Sequence, residues 1–220
     1  MHAHPAPLPA AYPPPPGDNR LAAAFAELAS RGWTRIDGWL PADLAAALAA
    51  EMIEAEAAPA GVGREEDYTL DRGVRRAAIA WLDGRTDAQR RLLAQAEELR
   101  AHLNRALFLG LFEFEACCAR YPAGGFYARH RDSLRGARNR VVSLVAYLNP
   151  EWRAEWGGAL RVWPPDGGPA QDTPPAPGTV VLMLSEETEH EVLPTLRPRL
   201  ALAAWWRVNA STPDRIDPAH

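Results

Sequence analysis

At 220 residues the chain is long enough for one well-packed domain with additions and short for two independent cores. Its 24 basic and 28 acidic residues leave a formal charge of −4, which offers no footprint for a phosphate backbone and argues against a nucleic-acid partner. No apolar run of about 18 residues occurs, and the first residues carry neither a basic leader nor an apolar signal core, so no membrane segment is expected and the chain reads as cytoplasmic.

Every basic residue is arginine. Any buried cation that grips a carboxylate must therefore be a guanidinium, whose planar fork suits the task. The two cysteines, Cys117 and Cys118, are adjacent in an apolar run. Neighbours on a strand point to opposite faces, so buried free thiols are expected.

In chain order, residues 1–17 are proline-rich through Pro13-Pro14-Pro15-Pro16-Gly17 and short of large apolar groups. They read as a flexible tail, with polyproline II recognition as the alternative. Leu21, Ala24, Phe25 and Leu28 recur at helical spacing over Asn19 to Ser30, and Gly32 stops the run. A strand over Trp33 to Leu40 follows, then a helix opened by Pro41 and reaching Ala57, with Leu44, Leu48, Met52 and Ile53 on one face. Pro59 to Gly73 is polar and glycine-bearing, a loop and candidate lid. Arg75 to Leu82 reads as a strand and Thr86 to Leu109 as a long helix.

After Gly110 the chain changes to short β-rich runs broken by Gly, Pro and Asn: 113–121, 126–131, 140–148, 159–163, 179–184, 191–194 and 200–208. Helices followed by an antiparallel sandwich or jelly roll give an α+β class. The expected organisation is a helical support and lid region at 18–110, a jelly-roll core at 111–210 and a C-terminal tail at 211–220.

Of six histidines, His2, His4 and His220 fall in the tails and His102 sits mid-helix among polar neighbours. His130 and His190 remain, both in the β-core. Asp132 follows His130 by two places, so on an extended backbone both side chains leave one face, about 6 to 7 Å apart at Cα. His190, at the start of a later strand, supplies a third ligand. Two imidazoles and one carboxylate partly neutralise a divalent ion without the thiolates that zinc and iron–sulfur sites favour, and leave positions open for substrates. Iron is the natural tenant. Arg199 opens the apolar strand Leu200 to Trp206. It must either reach solvent at the strand mouth or find an anion inside, and a dicarboxylate with one end on the metal is such an anion. Tyr and Trp in a β-core are usually packing, which is the plain reading of Trp81 and Trp205.

The stretch beginning Arg120-Tyr121-Pro122 resembles the 2-oxoglutarate-dependent prolyl hydroxylases, in the branch of the hypoxia-factor hydroxylases and their bacterial relatives. The resemblance runs through Gly125, Tyr127-Ala128-Arg129-His130-Arg131-Asp132, Arg140, Tyr147-Leu148-Asn149, Trp152 and Gly157-Gly158-Ala159-Leu160-Arg161. It continues through Ser185, His190-Glu191-Val192-Leu193-Pro194, Arg199 and Trp205, some 90 residues in order. It implies a double-stranded β-helix core with supporting N-terminal helices, so that residues 18–210 form one oxygenase domain. It implies iron(II), 2-oxoglutarate and dioxygen as cofactor and co-substrates, with His130, Asp132 and His190 on the metal and as the catalytic centre. Arg199 and Tyr147 would bind the distal carboxylate of 2-oxoglutarate, Tyr121 would line the same pocket, and Arg140, Trp205 and the 59–73 loop would face the substrate. Related halogenases lack the carboxylate that Asp132 supplies, so hydroxylation is implied. The expected substrate is a prolyl residue of a cytosolic protein, a translation factor such as elongation factor Tu first among candidates. A free amino acid or small metabolite, or a non-catalytic sensor of metal and 2-oxoglutarate, are the alternatives. Two positions depart from the relatives: Ala201 replaces a hydroxyl residue often found two places after the arginine, and Ala77 replaces an acidic residue near Arg75.

Overall fold

The computed structural model describes residues 19–61, 70–133 and 140–209. The proline-rich segment 1–17, the middle of the 59–73 loop and the 211–220 tail lie outside the described residues.

Helix α1 (Asn19–Arg31) buries Ala24, Phe25 and Leu28, as its periodicity predicts. It stops at Gly32, whose positive φ of 77° admits glycine readily, and an added Cβ there would stand 2.9 Å from a Pro165 ring carbon. Strand β1 (Trp33–Ile36) is half the predicted length, because Gly38 turns the chain with φ 71°. Helix α2 (Ala42–Glu54) buries Leu44, Leu48 and Met52, but Ile53 is exposed. It ends before the predicted Ala57: Ala55 is extended, and the chain enters the short edge strand β2 (Ala58–Pro59). The predicted strand from Arg75 narrows to β3 (Ala78–Trp81), with Arg75 held by a lone bridge to Tyr127. Helix α3 (Asp87–Leu107) starts on the Thr86 hydroxyl, which accepts the Gln89 N–H, and ends on Phe108 at φ 54°.

The remaining strands are β4 (Glu113–Tyr121), β5 (Tyr127–His130), β6 (Arg140–Tyr147), β7 (Leu160–Trp163), β8 (Gln171–Thr173), β9 (Val180–Leu184), β10 (Glu189–Val192) and β11 (Arg199–Arg207). Strand β8 is not predicted from the sequence. It is a polar edge strand, pinned by a two-pronged ion pair of Arg161 with Asp172 across from it. Strand β10 begins two residues earlier than predicted, which puts His190 inside the strand and not at its mouth.

The strands form two antiparallel sheets, one in the order β1-β9-β6-β11-β4-β3-β2 and one in the order β5-β10-β7-β8. Alternation along β11 assigns its faces. Leu202, Ala204 and Trp206 are fully buried against the helices, while Ala201 joins Tyr121, Tyr147, Leu160, Val162 and Val192 in a second core between the sheets. The architecture is α+β with a jelly-roll core, as the sequence implies. Three of its strands, β1, β2 and β3, come from the region expected to be helical support. Cys117 and Cys118 are free and buried, and burial pushes both thiols up to about 12.

Candidate active site

The candidate site lies where β5 pairs with β10. His130 ends β5 and pairs in register with His190 on β10, across a point where the pairing is irregular. Their rings stand 4.3 Å apart. Asp132, two residues past His130, faces both: its oxygens lie 3.5 Å from the Nε2 of His130 and 3.6 Å from the Nε2 of His190. One donor atom from each residue lies within 4.8 Å of the others, a cluster that could hold a metal ion.

The other ring nitrogens are committed. Nδ1 of His130 is 2.8 Å from the Ala128 carbonyl and Nδ1 of His190 is 3.3 Å from that of Thr188. A carbonyl only accepts, so both Nδ1 atoms carry hydrogen and both Nε2 atoms face Asp132. Burial, aided by the neighbouring His130, pushes His190 down to about 4 and keeps it neutral. Burial opposes ionisation of Asp132, yet the His190 and His130 rings and the Arg140 cation hold its carboxyl well below the usual range. Neutral imidazoles and one carboxylate are the state that binds a divalent cation.

Arg199 starts β11 and is buried, 1% exposed, so of its two expected positions it takes the interior one. Its Nε donates to the Gly158 carbonyl at 2.9 Å, and its guanidinium carbon lies 4.9 Å from the Tyr121 ring and 5.2 Å from the Tyr147 ring. Nη2 of Arg199 and the Tyr147 hydroxyl are both buried with no hydrogen-bond partner. Burial pushes the Tyr147 phenol up to about 12, so it keeps its proton and donates. Leaving two buried donors unsatisfied costs about 1–3 kcal/mol each, a cost that a carboxylate placed between them would remove. Ala201 is the direct cross-strand partner of Tyr147, so at the place where a hydroxyl side chain is missing a phenol stands alongside.

Arg140 and Trp205 lie at the other end of β11. The Arg140 Nε bonds Glu115 at 2.6 Å, and its guanidinium stacks 3.6 Å above the Trp205 ring. Trp205 is buried, as packing predicts. Trp81 is not: its ring lies 6.1 Å from Trp205, but the residue is 55% exposed because β3 is close to the sheet edge. Arg75 is a site residue that no motif marked. It stacks 4.5 Å over Tyr127, which in turn stacks 3.6 Å on His130. Its partner Tyr127 lies far along the chain, and the bridge that brings the two together is non-local, so no local pattern marks it.

Comparisons with known proteins agree with this geometry. The family model described as 2OG-Fe(II) oxygenase superfamily matches residues 116–207. A prolyl-4-hydroxylase from Pseudomonas putida is 42% identical, with a TM-score of 0.76 over 86% of this chain and 100% of that one. The human Egl nine homolog 1 is 29% identical over 155 residues, which is 66% of this chain and 35% of that protein. The matches thus span well under half of the length of such curated relatives. A Trichoplax adhaerens prolyl hydroxylase, solved with a hypoxia inducible factor peptide fragment, is 22% identical with a TM-score of 0.73 over 84% of this chain and 87% of that one, and shares the fold.

Proposed function

Because the chain belongs to the 2OG-Fe(II) oxygenase superfamily, we propose that His130, Asp132 and His190 hold its iron(II) and that Arg199, with Tyr147 and Tyr121, holds its 2-oxoglutarate. We propose further that the substrate is a prolyl residue of a cytosolic protein. The observation that carries the reading is the pair of unpartnered buried donors, Arg199 Nη2 and the Tyr147 hydroxyl, between the same two sheets as the His–Asp–His cluster.

The residues fit both groups. When bound, iron(II) and 2-oxoglutarate supply the oxidation: with dioxygen, 2-oxoglutarate becomes succinate and carbon dioxide, and one oxygen atom goes to a substrate C–H bond. The chain's part is orientation and exclusion of water. The Ala128 and Thr188 carbonyls fix the two imidazoles so that Nε2 faces inward. Asp132 supplies the compensating negative charge. Arg199 and Tyr147 meet the far carboxylate with two donors, and the apolar wall of Ala201, Leu160, Val162 and Val192 keeps that contact dry, where a charge-assisted pair is strongest.

The choice of proline follows the Pseudomonas putida relative, and a translation factor such as elongation factor Tu is the first candidate protein. Incubation of the chain with iron(II), 2-oxoglutarate and a bacterial lysate is expected to release succinate and to add one oxygen to proline in a protein, read by peptide mass spectrometry. His130→Ala is expected to abolish both. Succinate release that survives His130→Ala rejects the assigned metal site. Iron-dependent succinate with hydroxylated free amino acids and no modified protein rejects the prolyl substrate alone.

A further inference from the structure

We infer that a basic groove at the Arg199 end of the sheets docks an acidic stretch of the polypeptide substrate. The inference rests on the substrate's being a protein and adds a second recognition surface beside the metal.

A cavity of about 1280 Å³ opens where the end of β4 and the start of β11 face the chain leading into and out of the 59–73 loop. It is larger than the roughly 300–1,000 Å³ that encloses a small ligand. Its described lining contains five guanidinium groups, Arg72, Arg75, Arg76, Arg120 and Arg197, against two carboxylates, Asp71 and Glu151. On a chain of net charge −4 this is a local reversal of sign.

Not all five are available. The Arg120 guanidinium donates to the Ile53 and Ala55 carbonyls at the end of α2, and Arg75 is stacked on Tyr127. Asp71 is turned back on its own loop, accepting the Gly73 N–H at 2.8 Å. Arg72, Arg76 and Arg197 remain exposed, with no carboxylate partner among the described residues. Elsewhere on the surface pairing is the commoner state: Arg35, Arg85, Arg90, Arg91, Arg100 and Arg161 each sit on an Asp or Glu. The groove therefore gathers three cations without a carboxylate, where most arginines elsewhere on the described surface are paired.

The walls suit a polypeptide. Trp152 and Trp156 stand edge to face at 5.5 Å, and the Trp152 indole N–H is held by the Gly157 carbonyl, so these rings form a fixed apolar step between cations. Exposed Ile53 and Leu70 border the same space. The groove also reaches the chemistry. Arg75 lines it and stacks on the tyrosine against His130, while Tyr121 lines it and packs against Arg199. An occupant that spans groove and metal must present a C–H bond at one end and negative charge at the other, which an acid-flanked prolyl segment does.

The test uses fluorescein-labelled peptides with one central proline and a flank of Asp and Glu, or of Asn and Gln, titrated with the full chain by anisotropy. The groove variant is Arg76→Glu with Arg197→Glu; a control of equal charge change is Arg85→Glu with Arg105→Glu, away from the groove. The acidic peptide is expected to bind wild type with an affinity that falls as salt rises, and to weaken by about tenfold or more in the groove variant but not in the control. Melting curves and 2-oxoglutarate affinity of the groove variant are expected to match wild type. Equal binding of both peptides by wild type overturns the proposal, as does equal weakening in both variants. A polyuridylate oligomer that binds as tightly as the acidic peptide also overturns it, by assigning the groove to another polyanion. Binding that appears only after Glu65, Glu66 and Asp67 are neutralised does the same, by assigning it to the chain's own acids. Groove-dependent binding of a peptide that is never hydroxylated leaves the docking intact and sinks the prolyl reading instead.

Discussion

His130 and His190 are direct cross-strand partners: the pairing of β5 with β10 sets their rings 4.3 Å apart and turns both Nε2 atoms onto Asp132. The cluster is thus a property of strand register. Side-chain direction alternates along a strand, so sliding β10 by one residue would turn His190 out of the space between the sheets.

Removing either partner should therefore remove the metal. His190→Ala or Asp132→Ala is expected to weaken divalent metal binding by more than about 100-fold, beyond the 10- to 100-fold that loss of an outer-shell partner costs. Calorimetric titration with manganese(II) measures it. Retention of near-wild-type affinity in both variants would place the ion elsewhere.

Tyr147→Phe should move stability and ligand affinity in opposite directions. In the ligand-free protein the Tyr147 hydroxyl is buried without a partner, so its removal should stabilise the fold by about 1 kcal/mol. The same change deletes one of two donors aimed at the proposed carboxylate and should weaken 2-oxoglutarate by about tenfold. Thermal melting with and without 2-oxoglutarate reads both effects; a destabilised ligand-free variant would mean that the hydroxyl has a protein partner after all.

The sequence was legible where local pattern and tertiary role agree. The apolar run of β11 and the helical spacing of α3 survive in the structure nearly to the residue, because β11 is buried on both faces and α3 along one stripe. His130, Asp132 and Arg199 could be read because a two-residue spacing and a charge at the mouth of an apolar strand are local signals. Strand β8 could not, since Gln171, Asp172 and Thr173 alternate nothing and are held by Arg161 across the sheet. Arg75 over Tyr127, Glu115 beneath Arg140 and the exposure of Trp81 all depend on which strands neighbour each other. The groove cations are scattered from Arg72 to Arg197 and meet only after the sheet has formed.

Acid should destabilise the metal-free protein in two stages. His190 is held down to about 4 from 6.5, so between those values the unfolded chain binds a proton that the native state refuses, and stability rises with pH across that window. Acidification toward 4 therefore lowers the melting temperature. Asp132 is depressed below 3.8, so a further loss follows under that value as the unfolded carboxyl takes up a proton first. Calorimetry in the presence of a chelator checks this. His190→Gln should flatten the slope between about 4 and 6.5 and leave the more acidic stage; an unchanged slope would assign the first stage to another group.

The final prediction separates the fold from the placement of Arg199. Gly157 and Gly158 both have positive φ, 66° and 68°. A Cβ on Gly157 would stand 2.6 Å from the Pro194 carbonyl oxygen, a backbone atom that cannot yield cheaply. One on Gly158 would stand 3.0 Å from Thr195 Cβ and 3.2 Å from Arg199 Cδ, while the Gly158 carbonyl is the acceptor for Arg199 Nε. Either alanine incurs about 1–3 kcal/mol of left-handed backbone strain. Gly157→Ala, with the backbone clash added, should lose more stability and, well below its melting temperature, bind 2-oxoglutarate nearly as wild type. Gly158→Ala should lose less stability and yet weaken 2-oxoglutarate by about tenfold, because its new methyl pushes on the arginine stem that carries the anchoring fork. Equal loss of 2-oxoglutarate affinity in the two variants would show that Arg199 is not positioned through Gly158.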